Sequence, residues 1–348
     1  MYRNYKIIVN TAAGRRRYMQ YLVPFVLASD IVDRYDIWIN THNGADIEFF
    51  KMLAKKYPKI NLCWQPDGIV DGNKSINAFY RDCTQENAIY FKLDDDIVWM
   101  EPNAIQKMVD FRIDNPQYFL VTPLVINNSL STYLLQIRGK ITLRKYCKSS
   151  PTHSLLWKSG EFATALHEWF IEKYLSTDKY PSLYVGKQEM GMTRFSINAI
   201  LWFGAEMKKT QGIIPGDDEE FLSCIYPTSH GMSNCWNGDA IMAHFAFFTQ
   251  RHLLDKAGIL ERYGAFIASR KNERFYPYYT EIQGILSEIA TNEKHLMSQP
   301  SPYRKPTVAP KPSRTIKDAM TKFMQKSVQP LVKTIRNQIH KTETFIIK

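Results

Sequence analysis

The fold of this protein is decided by residues 88–102, which read AIYFKLDDDIVWMEP. The apolar run Ala88–Leu93 is typical of a strand buried on both faces, and it ends abruptly in three aspartates, Asp94, Asp95 and Asp96. Adjacent carboxylates at the end of a buried strand repel one another and need a counter-charge. A divalent cation supplies that charge, and carboxylate oxygens suit Mg²⁺ or Mn²⁺. The alternative is an exposed acidic turn before a helix that begins near Pro102.

Three more apolar runs precede this strand, at residues 5–10, 35–40 and 60–64, and each is followed by a stretch with helical spacing. This alternation predicts an α/β fold, a Rossmann-like and mostly parallel sheet flanked by helices. Ligands of such sheets bind beyond the carboxyl ends of the strands. No Gly-rich dinucleotide pattern or P-loop follows any of these strands, so the sequence predicts neither site.

Residues 90–105, YFKLDDDIVWMEPNAI, resemble the DxD region of the GT-A glycosyltransferases. In layout the resemblance covers about residues 5–250, with NTAAGRRR at residues 10–17 and VDGNKSINAF at residues 70–79 ahead of the DxD strand. It implies a GT-A-like fold with Mn²⁺ or Mg²⁺ at the aspartates and a nucleotide diphosphate sugar, most simply a UDP-sugar, as donor. Asp96 would be the main metal ligand. Asp94 would contact both metal and ribose, and Asp95 would be a further contact to the nucleotide sugar.

Four residues that follow the first and third strands are further candidates for contacts with the nucleotide. Thr11 and Arg15 lie after the first strand, where Arg15 could pair with phosphate. Asp71 could accept a hydrogen bond from the base, and Lys74 could reach the diphosphate. The alternative for the arginines is a solvated basic start to a helix, above all for Arg16.

Asp217 and Asp218 begin a second acidic cluster, DDEE, at the start of a helical stretch. Acidic residues in a first helical turn are favoured by the helix dipole, which is the structural interpretation. The functional interpretation is a general base that removes the proton from an attacking hydroxyl. Inverting GT-A enzymes carry a similar acidic pair before a helix. The resemblance therefore implies Asp218 as the base, with Asp217 second, and it favours inversion.

His244 lies in an apolar stretch about 150 residues after the aspartates. A histidine in such surroundings is commonly a packed core residue. The resemblance implies instead a third metal ligand, for which a neutral imidazole is suited. His252 is a weaker alternative, and Trp202 is a candidate aromatic platform for a sugar ring, with core packing as the alternative.

The formal net charge of +11 lies mostly at one end of the 348-residue chain, because residues 300–348 carry eleven basic and two acidic side chains. Residues 298–314 are rich in proline and basic residues, which is typical of an extended linker. In residues 315–348 apolar side chains recur at three- to five-residue intervals between lysines. This spacing predicts a basic amphipathic helix, bent at Pro330, that lies on an anionic membrane. The alternative is a helix packed on its own domain or on a second subunit.

These observations predict one GT-A-like domain over residues 1–297, with a nucleotide-sugar half at 1–125 and an acceptor half at 126–297. The linker 298–314 and the tail 315–348 follow. Five cysteines without metal-like spacing, no apolar span and no secretory signal predict a cytoplasmic protein, peripheral on the inner face of the membrane. Nucleic acid is not an expected partner, because the basic residues of the tail alternate with an apolar face.

Together the features predict metal-dependent transfer of a hexose to a glycan, with a lipid-linked acceptor as in the assembly of bacterial lipopolysaccharide or capsule. One alternative is a sugar-phosphate nucleotidyltransferase, which uses similar carboxylates but usually has a Gly-rich, basic phosphate loop after the first strand, a loop that NTAAGRRR only half resembles. Another is a non-catalytic membrane-associated scaffold with a degenerate fold of this kind.

Overall fold

The protein is described by a computed structural model that covers residues 1–306 and Phe345. Nine strands in this part of the chain form a single sheet. The strands are β1 (Lys6–Ala13), β2 (Arg34–Ile39), β3 (Ile60–Trp64), β4 (Ala88–Leu93), β5 (Ile97–Met100), β6 (Val121–Ile126), β7 (Lys187–Met190), β8 (Ala199–Phe203) and β9 (Asn234–His244).

The sheet has the strand order β3-β2-β1-β4-β8-β6-β9-β5, and β7 pairs with β9. Strands β3, β2, β1 and β4 are mutually parallel, and β6 and β9 run in the same direction. Strands β8, β5 and β7 run against them. The sheet is therefore mostly parallel, and the predicted α/β fold class is confirmed.

Helices cover both faces of the sheet. The α-helices are α1 (Arg16–Ala28), α2 (Gly44–Lys56), α3 (Ala104–Asp114), α4 (Ser129–Ile137), α5 (Ser154–Lys158), α6 (Gly160–Phe170), α7 (Gly204–Lys209), α8 (Asp218–Glu220), α9 (Tyr226–Ser229), α10 (Arg251–Lys256), α11 (Ile259–Ser269) and α12 (Tyr276–Ser298). Shorter helical segments are the 3₁₀ helices Gly72–Asp82 and Tyr180–Leu183 and the π-helical turns Ile171–Leu175 and Phe221–Ile225.

Strand β4 separates two hydrophobic cores, because its successive side chains point to opposite faces of the sheet. Ile89, Phe91 and Leu93 belong to the larger core, whereas Tyr90 belongs to the smaller one. In the smaller core Tyr90 stacks on Trp202 with ring centroids 5.8 Å apart. Trp202 is fully buried, so it packs in the core and offers no platform to a sugar.

The predicted halves of the domain share this one sheet. The boundary between residues 125 and 126 falls within β6, and β8 of the second half pairs directly with β4 of the first. The first strand also continues to Ala13, three residues beyond its predicted end, so Asn10 and Thr11 lie within it.

Part of the predicted linker packs on the body of the protein. Tyr303 is buried, its hydroxyl donates to the Ile39 carbonyl at 2.9 Å, and Arg304 forms a β-bridge with Ile69. The folded body therefore extends past residue 297 to at least Arg304. The predicted tail helix at 315–348 lies outside the described residues except for Phe345.

All five cysteines are free thiols. Among the described residues, no helix has both the length and the apolar character that crossing a membrane requires.

Candidate active site

A cavity of about 970 Å³ opens at the carboxyl edge of the sheet. Side chains from both predicted halves of the chain line it. They include Arg15, Lys74, Lys92, Asp94, Asp95, Asp96, Trp157, Arg194, Asn198, Asp217, Asp218, Glu219, His244, Phe247, Phe248 and Arg251. The cavity therefore brings together the acidic turn after β4, the DDEE cluster and the end of β9.

Asp94, Asp96 and His244 form the most compact group of potential metal ligands among the described residues. One ligand atom from each lies within 4.8 Å of the other two. Asp96 and His244 are buried, whereas Asp94 is partly exposed to the cavity. Two carboxylates and an imidazole are a donor set that fits Mn²⁺ or Mg²⁺, with room for further ligands from a substrate or water.

The pairing of β5 with β9 places His244 beside the aspartates. Ile97 pairs with His244 in the antiparallel ladder, and the Phe245 amide donates to the Asp96 carbonyl at 2.8 Å. Asp96 and His244 are therefore neighbours across two strands, although about 150 residues separate them in the chain.

The tautomer of His244 suits metal binding. Its Nδ1 lies 3.3 Å from the Asn127 carbonyl oxygen, which can only accept, so Nδ1 carries a proton. Nε2 faces Asp96 Oδ1 at 3.4 Å and in the neutral ring offers a lone pair. Asn127 adopts a left-handed backbone conformation with φ 62°, and its amide group donates to the Phe245 carbonyl at 3.0 Å. This strained but well-anchored residue fixes the carbonyl that orients His244.

Two arginines balance the charge of Asp96. Arg15 Nη2 lies 3.1 Å and Arg251 Nη2 3.5 Å from Asp96 Oδ2. Burial alone would raise the pKa of Asp96, but Arg15, His244 and Arg251 outweigh it and hold the pKa well below its usual range. Conversely, burial would lower the pKa of His244, but the charge of Asp96 outweighs it and raises that pKa. Asp96 is therefore ionised, and His244 in the metal-free site tends to hold a proton.

Asp95 points away from the ligand group and organises the loop after β1. Its Oδ2 accepts from the Gly14 amide and from Arg15 Nε, both at 3.0 Å, and its Oδ1 accepts from Arg15 Nη2. Asp95 thus positions Arg15 toward Asp96. The three aspartates lie in a turn between β4 and β5, which the Ile97 amide closes by donating to the Asp94 carbonyl at 3.2 Å, and this turn directs Asp95 toward other partners than Asp94 and Asp96.

Asp94 is held by two donors from the sheet. Lys92 Nζ donates to its Oδ1 at 2.6 Å, and Asn198 Nδ2 donates to its Oδ2 at 3.0 Å. Lys92 is itself buried in β4 and also donates to the Ile197 carbonyl at 3.1 Å. Burial would lower the pKa of Lys92, but Asp94 and Asp218 outweigh it and raise the pKa, so the ammonium stays charged.

The DDEE cluster divides into residues that pair with Arg194 and one that does not. Arg194 lies 3.2 Å from Asp217 Oδ2 and 2.9 Å from Glu219 Oε1. Asp217 also caps α8 by accepting from the Glu220 amide at 3.0 Å. This residue therefore serves mainly to hold the helix and Arg194.

Asp218 instead faces the cavity, where its Oδ2 accepts from the Tyr80 hydroxyl at 3.1 Å. Burial raises its pKa, while nearby Lys92 partly opposes the rise. A carboxylate with a raised pKa beside a substrate cavity has the properties of a general base.

Only Arg15 of the three consecutive arginines reaches the cavity. Arg16 is ion-paired with Asp46 and with Glu293, and Arg17 pairs with Asp255 on α10. Arg16 and Arg17 therefore tie α1 to its neighbours, and Arg16 is a largely buried, ion-paired residue, not the solvated start to a helix that the alternative expected.

Thr11, Asp71 and Lys74 differ in their distance from the cavity. Thr11 is fully buried in β1, where its hydroxyl lies 3.0 Å from the Tyr35 hydroxyl, and it does not line the cavity. Lys74 lines its outer wall, 3.4 Å from Asp71, which faces an adjoining cavity of about 510 Å³. The loop at residues 71–74 is thus close to the cavity, whereas the Thr11 side chain is buried within the sheet.

His252 and His167 are not brought to the aspartates. His252 is exposed and does not line the cavity. His167 is buried, with Nε2 donating to the Phe245 carbonyl at 2.8 Å and Nδ1 2.8 Å from the Tyr263 hydroxyl, and burial lowers its pKa to about 3. It is a neutral structural residue.

Sequence reasoning missed Lys92, Arg194 and Arg251. A lysine inside an otherwise apolar strand is a signal that could have identified Lys92. Arg194 and Arg251 carry no such signal, because their role depends on loops that meet only in the folded chain.

Comparisons with known proteins give no relative in sequence. No family model matches the chain, and no curated protein matches it. Similar solved structures include a CMP:2-keto-3-deoxy-manno-octonic acid synthetase complexed with CTP. It is 10% identical, covers 74% of this chain and 98% of its own, and has a TM-score of 0.41.

Two further structures resemble this chain. A 4-diphosphocytidyl-2C-methyl-D-erythritol synthase is 8% identical, with coverage of 74% and 99% and a TM-score of 0.39. A mannose-6-phosphate isomerase from Helicobacter pylori is 12% identical, with coverage of 67% and 86% and a TM-score of 0.34. With TM-scores below 0.5, these likenesses say nothing about the reaction of this chain.

Proposed function

We propose that this protein is a metal-dependent glycosyltransferase that moves a hexose from a nucleotide diphosphate sugar, most simply a UDP-sugar, to a hydroxyl of a glycan. The observation that carries the proposal is the convergence of Asp94, Asp96 and His244 within 4.8 Å, in the same cavity as Asp218. A diphosphate leaving group and an attacking hydroxyl need these two kinds of group in one cavity.

Asp94, Asp96 and His244 would hold Mn²⁺ or Mg²⁺. When bound, the cation supplies charge neutralisation for the diphosphate, a contribution of several kcal/mol to the transition state. Arg15 and Arg251 already lie beside Asp96, 3.1 Å and 3.5 Å from its Oδ2, so their guanidinium groups can pair with phosphate oxygens when the donor binds. Lys74, on the outer wall, could approach the same diphosphate, and Asp95 would act by holding Arg15.

Asp218 is the residue we assign to the proton transfer. As the acceptor oxygen forms its bond to the anomeric carbon, the bond from that carbon to the diphosphate breaks. The hydroxyl proton passes to the Asp218 carboxylate, and the electron pair leaves with the nucleotide diphosphate. A base on the face opposite the leaving group gives inversion of configuration.

The loop after β1 favours sugar transfer over nucleotidyl transfer. A nucleotidyltransferase must hold a triphosphate, for which the sequence would need several free basic groups after the first strand. Arg16 and Arg17 are paired with carboxylates outside the cavity, and Arg15 is shared between Asp95 and Asp96.

Nucleotidyl transfer is nevertheless the second candidate. In that reaction the same acidic group would hold the cation, and pyrophosphate would be released from a nucleoside triphosphate.

The acceptor and the location of the protein are part of the proposal. A basic amphipathic segment at residues 315–348, outside the described part of the chain, would hold the enzyme on the inner face of the cytoplasmic membrane. A cytoplasmic transferase on that surface would act on a lipid-linked glycan, as in lipopolysaccharide or capsule synthesis.

Product analysis of the full-length protein with Mn²⁺ tests the proposal. A panel of sugar nucleotides should include one from which nucleotide diphosphate is released, slowly to water and faster with an acceptor. Release of pyrophosphate from a nucleoside triphosphate and a sugar phosphate would instead establish the second candidate. A folded protein that releases neither product and binds no Mn²⁺ would be a scaffold, and both reactions would be rejected.

A further inference from the structure

Residues 115–160 contain six basic side chains and no acidic one. Arg138 and Lys140 donate to neutral oxygens, those of Gln188 at 2.9 Å and Ser182 at 2.8 Å. Three exposed residues among the other four form what we call the basic rim: Arg144, Lys148 and Lys158. Elsewhere on the described surface, arginines and lysines commonly pair with acids, as Arg270 does with Asp178. The basic rim is therefore a local excess of positive charge.

The chain that carries the basic rim is fixed beside the mouth of the cavity. Gln136 exchanges two hydrogen bonds with the backbone of Cys147, at 3.2 Å and 2.9 Å, and Ser129 donates to the Ser150 carbonyl at 2.5 Å. Residues 151, 152 and 157, which follow directly, line the cavity that holds the acidic residues. The basic rim thus borders the opening through which an acceptor would enter.

Large aromatic side chains are exposed on the same border. Tyr146, within the basic rim, is 61% exposed, and Phe248, which lines the cavity, is 67% exposed. The Trp157 ring lies between Phe248 and Phe247, with centroid separations of 5.6 Å and 4.8 Å. Basic side chains interspersed with exposed aromatic rings are the composition of surfaces that rest in the interface of an anionic bilayer.

The C-terminal end of the chain meets this border as well. The Arg144 amide donates to the Phe345 carbonyl at 3.1 Å, and the Phe345 ring packs edge-on against Phe162 at 5.7 Å. Residues 300–348 have a net charge of +9 in the sequence. Phe345, which belongs to this basic part of the sequence, therefore lies beside the basic rim.

We propose that the basic rim docks on an anionic phospholipid bilayer and turns the mouth of the cavity toward the lipid surface. This extends the membrane part of the proposed function from the tail to the folded body. An acceptor hydroxyl carried on a lipid would then reach the cavity without leaving the membrane. The docking is a binding equilibrium, and it does not require turnover.

Vesicle co-sedimentation of the full-length protein tests this docking. The rim variant Arg144→Glu/Lys148→Glu/Lys158→Glu should bind vesicles of phosphatidylcholine with phosphatidylglycerol at least about tenfold more weakly than the unsubstituted protein. The matched control is Lys51→Glu/Lys55→Glu/Lys271→Glu, which changes the net charge equally at exposed sites in α2 and between α11 and α12. The control should stay within about twofold, because only charges near the bilayer contribute. Circular dichroism and thermal melting establish that both variants fold.

Equal loss of binding in the two variants would overturn the proposal, as would unchanged binding in the rim variant. Equal binding of the unsubstituted protein to pure phosphatidylcholine would overturn it too. A rim variant that loses affinity for soluble polyphosphate but not for vesicles would assign the surface to a soluble polyanion instead. A protein with no transferase activity that still shows the predicted difference would reject the proposed reaction and leave the docking surface in place.

Discussion

The two acidic clusters of this protein have similar sequences, DDD at residues 94–96 and DDEE at residues 217–220, but very different surroundings. In the first cluster, Asp95 and Asp96 are buried and paired with arginine, and Asp94 is held by Lys92. In the second, Asp217 and Glu219 share the half-exposed Arg194.

Neighbouring carboxylates in each cluster have different roles, because the backbone turns them toward different partners. Asp95 holds Arg15, whereas Asp96 faces His244, and Asp217 caps a helix, whereas Asp218 faces the cavity. Charge density along the sequence therefore does not identify the reactive residue. Lys92 lies between the clusters. Its ammonium group donates a hydrogen bond to Asp94, and its charge lowers the pKa of Asp218.

The largest expected effect is the loss of activity on changing Asp96, which should far exceed the loss on changing Asp217. Asp96→Asn should lower kcat/KM about a thousandfold or more, because the loss of several kcal/mol of charge stabilisation corresponds to such a factor. The matched change Asp217→Asn should stay within about tenfold, since asparagine also caps helices and exposed ion pairs contribute little. Steady-state kinetics with Mn²⁺, together with Mn²⁺ binding, measures both. Comparable losses in the two variants would contradict the assignment of the metal ligands.

The next effect concerns Asp218, the aspartate of the second cluster that faces the cavity. Asp218→Asn should lower kcat by about a hundredfold or more while Mn²⁺ binding stays close to that of the unsubstituted protein, because a general base contributes about 10²–10⁴-fold. An Asp218→Asn enzyme that loses Mn²⁺ binding and keeps its turnover number at saturating metal would show that this carboxylate belongs to the metal group instead.

Lys92→Met tests the connection between the clusters. We expect activity to fall about ten- to a hundredfold, the usual cost of losing a partner that orients a metal ligand. The acidic limb of the pH–rate profile should also move to higher pH, because Lys92 lowers the pKa of Asp218. Lys208→Met is the control, since this exposed lysine pairs with Glu86 at 2.6 Å and does not line the cavity. An unchanged pH profile with unchanged activity would show that the two clusters act independently.

The smallest effect concerns pH and the first cluster alone. Asp96 raises the pKa of His244, so Mn²⁺ must displace a proton from Nε2. The apparent Mn²⁺ affinity should therefore fall about tenfold per unit as pH decreases below that pKa. Calorimetric titration across neutral pH measures this slope. His244→Gln should weaken binding and flatten the slope, and an unflattened slope would place the proton elsewhere.

In the metal-free protein, the contribution of His244 to stability should change with pH in the direction opposite to the Mn²⁺ affinity. A histidine whose folded pKa is raised stabilises the fold below its unfolded pKa, and this contribution is lost as pH rises through the folded pKa. Asp96, whose pKa is lowered, stabilises the fold above its unfolded value, so its contribution is lost only in acid. Thermal melting with and without Mn²⁺ from slightly acidic to slightly alkaline pH therefore separates the two groups.

Periodicity and strand ends were sufficient to predict much of this molecule. Strands β3 and β4 begin and end at their predicted residues, because short apolar runs bounded by polar residues leave little choice. Strand β1 extends further than predicted, because its ladder with β2 continues until Ala13 pairs with Ile39, and within it the buried Thr11 hydroxyl lies 3.0 Å from the Tyr35 hydroxyl of β2. Thr11 consequently lies within the sheet, with its side chain buried, and not in the cavity.

Residues of the same type have different roles in this protein, and their burial and contacts distinguish them. Trp202 and Trp157 have the same side chain, but Trp202 packs between Tyr80 and Tyr90, whereas Trp157 lines the cavity. Likewise His167 and His244 both lie in apolar surroundings. His167 donates to the Phe245 carbonyl, whereas His244 faces the Asp96 carboxylate, so only His244 is a candidate ligand.

The sequence by itself determined the α/β class, the acidic end of β4 and the concentration of positive charge after residue 300. These depend on local order, because burial of alternating strands and repulsion between adjacent charges act over a few residues. The tertiary structure alone decided which carboxylates share a cavity, which arginines neutralise them and where the basic rim lies. Those contacts join residues up to about 150 positions apart through the β4–β8 and β5–β9 pairings, and only a formed sheet brings them within hydrogen-bond distance.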